Sequence, residues 1–218
     1  MVDPPSLTRH DVEPYCVDEA RSLLQAAATE RLEARWVIAL MLGLRQGEVF
    51  GLGWQHIDWD NKTLHVARSL QRQPDGTLGL VETKTQRSHR LIPMPPAVVA
   101  ALLRRQQAHR EERQLAGSMW RQSDLVFTTA TGTPIHPRND YRAFRTLIDR
   151  AGLRRVRLHD LRHTAASLLL SQGVAAPVVM EILGHSQIAI TMNTYTHVDP
   201  DLNRTATNLM EEALWPSN

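Results

Sequence analysis

The chain has 218 residues, 42% of them hydrophobic and 22% charged, with a formal net charge of +2. That is long enough to bury a core as one large domain, and too balanced a composition for a disordered or strongly basic protein. The single cysteine, Cys16, excludes a disulfide framework and a cysteine metal cluster, and no apolar run approaches the roughly 20 residues that span a membrane.

Residues 1–15 hold three prolines among charged residues and read as a linker or tail. They lack the basic-then-apolar pattern of a signal peptide, so a cytoplasmic location is expected. Residues 17–28 form a helical pattern with Asp18 and Glu19 near its start, where carboxylates favour the helix dipole. A second helix is predicted over 31–44, apolar enough at its end to be central to the core. Arg45, Gln46, Gly47 and Glu48 follow directly. An arginine there sits at the rim of the core, where its charge needs a carboxylate or phosphate partner.

Between residues 54 and 92 the pattern changes to alternation. A hairpin is predicted around Asp60-Asn61, a further strand after Pro74-Asp75-Gly76, and two strands over 80–92 joined by a basic turn containing Lys84. The chain has 23 arginines and two lysines, Lys62 and Lys84. Where arginine is so favoured, a lysine on a turn suits a role that needs a transferable proton, although a solvated lysine is the simpler reading.

An amphipathic helix is expected over 96–115, a short strand over 124–128, a turn over 132–137 and an arginine-rich helix over 138–151. Residues 138–163 carry eight arginines against three aspartates, whereas residues 1–50 carry eight acids against five arginines. Such a stripe on a near-neutral chain reads either as a directed anion contact or as a solvated helix face. Helical segments over 159–171, 177–183 and 188–195 then carry His159, Arg162 and Tyr195, with His185 in a Leu-Gly-His turn between the last two. His159 and Arg162 are three apart, share a helix face and can reach one ligand. An imidazole beside a guanidinium suits a phosphate, and Tyr195 is a potential nucleophile if a positive site favours its anion. The last stretch, 200–215, has Leu202, Leu209 and Met210 at helical spacing.

In order along the chain, GLRQGEVFGLGWQHID, TKTQRSHRLIPM, HDLRHTAAS and LGHSQIAITMNTYTH resemble the boxes of the tyrosine recombinase (phage integrase) catalytic domain. The resemblance implies a mainly helical α+β domain over 16–218 with a small antiparallel sheet near 54–92. It implies Arg45, Lys84, His159, Arg162, His185 and Tyr195 as the catalytic set, with Glu48 as the buried acid beside Arg45 and Lys84 delivered by a β-hairpin. No room precedes residue 17 for the family's separate DNA-clamping domain, so a fragment of a longer protein is the expectation.

The chemistry so implied cuts and rejoins double-stranded DNA through a 3′-phosphotyrosine, without metal, ATP or other cofactor. Arg45 and Arg162 would hold the non-bridging oxygens, His159 would act as base, Lys84 would protonate the leaving 5′-oxygen, and His185 would bond the phosphate or hold the arginines. The implied partners are DNA and sister protomers, in a tetramer on two sites with the C-terminal helix exchanged, and accessory bending or directionality proteins. Three alternatives stand beside this. HDLRH superficially resembles the zinc-protease HExxH helix, but it offers aspartate for glutamate and points Arg162 at the metal. A helical DNA-binding module would leave Arg45, Lys84 and His185 without a shared purpose. A type IB topoisomerase would keep the chemistry but needs no docking segment after Tyr195.

Overall fold

The computed structural model describes residues 13–82 and 89–184. Lys84, His185, Tyr195 and the helices expected over 188–195 and 200–215 lie outside the described residues.

Helix α1 (Val17–Ala27) opens on Cys16, whose backbone N–H is capped by the Glu19 carboxylate at 2.8 Å. Helix α2 (Glu33–Met41) is buried around its whole circumference, from Ala34 to Leu40. One side packs into a core containing Phe50, Leu64, Ile92 and Leu102, and the other into a core containing Leu23, Phe144, Leu147 and Leu161. The helix is shorter than the expected 31–44 because the chain turns at Gly43, which has φ +60° and no room for a Cβ against the Leu183 side chain. A short helix that the pattern did not suggest, α3 (Gln46–Phe50), follows at once. It lies so close to the next strands that a Cβ on Gly51 would stand 2.6 Å from the Arg68 carbonyl oxygen. The Phe50-Gly51 run is therefore a packing device.

Five short strands follow: β1 (Ile57–Asp58), β2 (Thr63–Val66), β3 (Arg68–Arg72), β4 (Leu78–Glu82) and β5 (Arg90–Pro93). The hairpin expected at Asp60-Asn61 forms, and the strand expected after Pro74-Asp75-Gly76 forms too, paired with β3 across that turn. The hairpin expected over 80–92 does not. β4 pairs with β3, whereas β5 pairs antiparallel with β2 in the order β1-β2-β5. The reason is burial: the register Leu64↔Ile92 and Val66↔Arg90 turns the inward residues of both strands to one core, while β4 buries none of its residues. The segment bearing Lys84 thus runs between strands of two different sheets. Nor do residues 124–128 form a strand; their run Leu125–Thr128 is buried throughout and makes isolated bridges at Gly53↔Leu125 and Thr128↔Pro134.

Helices α4 (Pro96–Ala116), α5 (Pro137–Arg150), α6 (Asp160–Ser171) and α7 (Ala176–Leu183) complete the described chain. α4 buries Val98, Ala101, Leu102 and Arg105, the i, i+3, i+4, i+7 stripe of its first half. The segment expected to be an unpacked linker up to residue 15 is anchored at its end. Tyr15 is buried, its N–H donates to Thr164 Oγ1 at 3.0 Å, and its hydroxyl donates to the Arg154 carbonyl at 2.8 Å.

A buried ion pair locks α2 to α5. Arg35 donates to both oxygens of Asp140 at 2.8 Å, and both side chains are 2% exposed. Gln46, the first residue of α3, donates to Asp140 Oδ2 at 2.8 Å as well, so the pair also sets where the Arg45 segment begins. Removing one partner strands a buried charge, which costs about 3–5 kcal/mol. Asp140→Ala should lower the unfolding free energy by about that amount in a urea titration; a loss under about 1 kcal/mol would show that the pair is relieved by water.

Candidate active site

Arg45 stands at the N-terminus of α3, where the chain leaves the buried α2. Glu48, one turn on, is 4% exposed. Its carboxylate accepts the Arg45 backbone N–H at 3.0 Å and Arg45 Nη1 at 2.7 Å, so it caps the helix and aims the guanidinium at once. The Arg45 side chain is 41% exposed and is steadied on its other edge by the Gly184 carbonyl at 3.2 Å. It therefore keeps an accessible face, as an arginine that meets a ligand must.

Arg162 comes from the first turn of α6 and is buried. Its Nη1 donates to the Gly43 carbonyl at 2.7 Å. The left-handed turn at Gly43 thus serves both arginines: it offers its carbonyl to Arg162 and redirects the chain into Arg45. His159 precedes α6 and is exposed, its ring centroid 5.2 Å from that of His163. His159 and Arg162 line one cleft of about 410 Å³, together with Gln46, Pro137, Tyr141 and Arg157. Arg45 and Glu48 do not line that cleft, but Arg45 lies near enough for its charge to act on both His159 and Arg162, and Glu48 near enough to act on Arg162.

The electrostatics follow from crowding. Burial works to raise the Glu48 carboxyl, but the hydrogen bonds and charge of Arg90, then of Arg45, outweigh it and hold the group below the ordinary carboxylate range. Burial pushes Arg162 down to about 9, helped by the Arg45 and Arg90 charges and opposed by Glu48. At neutral pH it stays a cation. Although the residue reaches solvent, partial burial of the ring lowers His159, with His163, Arg162 and Arg45 adding to the effect and Asp160 opposing it, which favours the uncharged imidazole. Asp160, the acid of HDLRH, is buried and accepts from the Arg157 backbone N–H at 2.8 Å. Among the described residues no three histidine, cysteine or carboxylate groups are placed to hold a metal.

Two features were not foreseen. Arg90, buried on β5, donates to both oxygens of Glu48 at 2.9 and 3.3 Å. Its signal was strand parity: two residues before the inward Ile92, it had to face the core. The second concerns the basic stripe. Arg150 pairs with Glu30, Arg154 with Glu19, Arg155 with Asp149 and Arg157 with Asp160, at 2.7–3.5 Å. Half of the stripe's eight arginines are thus spent on internal carboxylates, two of them from the acid-rich start of the chain. Arg138 and Arg142 remain on an exposed face of α5.

The model of the phage integrase family matches residues 16–201. The chain belongs to this family. A XerC-like tyrosine recombinase of Caldanaerobacter subterraneus is 33% identical over 213 residues, covering 93% of this chain and 54% of that protein. An integrase of Saccharopolyspora erythraea is 28% identical, covering 98% of this chain and 60% of that one. The chain thus spans little more than half the length of these relatives. Among solved structures, the Tn1549 transposon integrase in complex with circular intermediate DNA has the same fold, with a TM-score of 0.77 at 24% identity over 91% of this chain and 67% of that chain. The mainly helical architecture with small antiparallel sheets is the fold shared with that integrase.

Because Glu48 is held below its ordinary range, its contribution to stability is complete above the unfolded glutamate value of about 4.3. It is lost as pH falls from there through the lowered folded value. Glu48→Gln should therefore flatten the acid side of the plot of urea midpoint against pH, and wild-type and variant curves should converge once pH has fallen below the lowered folded value. Parallel curves would mean that the carboxylate is not stabilised by its arginines.

Proposed function

We propose that this chain is the catalytic domain of a site-specific DNA recombinase that cuts and rejoins double-stranded DNA through a 3′-phosphotyrosine. The observation that carries the reading is the pair of guanidiniums, Arg45 and Arg162, set on one turn of chain beside a His159 whose uncharged form is favoured, in a member of the phage integrase family. A phosphodiester gathers negative charge on its non-bridging oxygens as it is attacked, and two prealigned cations stabilise that charge without reorganising. Tyr195 attacks phosphorus and the 5′-oxygen departs. His159, in its uncharged form, takes the tyrosine proton; Lys84 gives one to the leaving oxygen; His185 bonds the phosphate. The bond energy is kept in the phosphotyrosine, so resealing by the 5′-hydroxyl needs no ATP, and the arginines supply what a metal would.

Residues 16–218 are the catalytic domain on this reading, and a DNA-clamping domain is to be expected elsewhere in the protein, as the length of the relatives suggests. The assembly is a tetramer on two DNA sites in the cytoplasm of a bacterial or phage-infected cell. Leu202, Leu209 and Met210 of the last segment dock on a neighbouring protomer, and accessory bending or directionality proteins set the outcome.

Incubated in EDTA with a nicked suicide duplex from the flanks of its gene, the chain should give a covalent band that survives a denaturing gel. Tyr195→Phe should abolish the band, and Arg45→Ala or Arg162→Ala should slow its appearance about 10²- to 10³-fold. DNA bound by wild type without any covalent band would instead favour a non-catalytic binding module.

A further inference from the structure

Arg90 makes contacts unlike those of Arg45 or Arg162. It sits on β5 with its side chain 5% exposed, too enclosed to touch DNA. Its Nη2 and Nη1 donate to the two oxygens of Glu48, and its Nε donates to the Ile182 carbonyl near the end of α7 at 2.8 Å. A Cβ placed on Gly184 would come within 2.8 Å of Arg90 Nη1, so the Leu183-Gly184 turn rests directly on this guanidinium. That turn has its glycine at φ +69° and returns its carbonyl to Arg45.

The Glu48 carboxylate is thereby saturated. Oε1 accepts Arg45 Nη1 and Arg90 Nη1; Oε2 accepts the Arg45 backbone N–H and Arg90 Nη2. A carboxylate offers about four lone-pair sites, and here each is taken. With only Arg45 as partner, the carboxylate could rotate about its side-chain bonds. Held bidentately from the opposite side by a guanidinium fork, it cannot.

We infer that Arg90 is a positioning residue of the reaction. It fixes the Glu48 carboxylate and so sets the direction of Arg45, and it seats the 182–184 turn from which the chain passes into His185. This rests on the phosphoryl-transfer reading of the site. One buried fork thereby ties β5, α3 and the end of α7 to a common reference.

The test compares Arg90→Met, which keeps the length and loses the fork, with Arg90→Lys, which keeps a charge and loses bidentate geometry. Ile92→Ala serves as a purely structural control. Single-turnover cleavage of the nicked duplex at saturating DNA should fall about 10²-fold in Arg90→Met and less in Arg90→Lys, with DNA affinity within about twofold. The acid limb of the rate profile should move to higher pH in Arg90→Met, because Glu48, still faced by Arg45 and Arg162, loses the partner that holds it lowest. Cleavage by Arg90→Met at the wild-type rate would overturn the inference. So would equal losses in all three variants, scaled to their melting temperatures, with the pH profile unmoved. Should wild type itself form no covalent band, the functional reading fails separately. The guanidinium nitrogen resonances of Arg45 then decide: broadening in Arg90→Met but not in Arg90→Lys supports the positioning role, and unchanged spectra overturn it.

Discussion

The site depends on one buried carboxylate set among guanidiniums. Arg45 and Arg90 both bond Glu48, and Arg162 lies near enough for its charge to feel all three. Gathering three cations in one place is costly, because burial removes the water that would screen them. Glu48 offsets part of that repulsion and the Gly43 carbonyl bonds Arg162, leaving a net positive surface that faces solvent through Arg45. A phosphate entering there meets a field already assembled. Without the acid the same arginines would repel one another and splay.

The frame around this cluster is electrostatic too. Asp140 receives both Arg35 and Gln46, so the residue next to Arg45 is tied to the helix pair that carries the second core. On the outside, Glu30 and Glu19 neutralise Arg150 and Arg154, and Arg154 also donates to the Pro14 carbonyl, with its guanidinium 5.0 Å from the Tyr15 ring centroid. The acid excess at the start of the chain and the arginine excess near its end are to this extent complements of each other.

What could be read from the sequence was whatever is local. Arg45 with Glu48, and His159 with Arg162, are fixed by spacing along a helix, so their convergence followed from residue order. The hairpin at Asp60-Asn61 and the strand after Pro74-Asp75-Gly76 were legible because those residues carry their own turn chemistry. Pairing across distance was not legible. Whether β5 joins β4 or β2 turns on which register buries more, and no window of sequence contains both strands. The same limit hid Arg90, whose partners are 42 and 92 positions away. Charge balance left two readings open for a related reason, since composition counts arginines without saying which are already paired.

The division of the strands between two sheets has a mechanical consequence. Lys84 lies two residues beyond Glu82, the last residue of β4, and six before Arg90, the first residue of β5. A slip of one residue in the β3–β4 ribbon would advance that strand end by about 3.4 Å and turn its side chains over. The β2–β5 ladder, and with it the Arg90–Glu48 anchor, would not move. The two ends of the segment that bears Lys84 are therefore set by two different ladders, while β3 stays fixed against α3, where a Cβ on Gly51 would meet the Arg68 carbonyl.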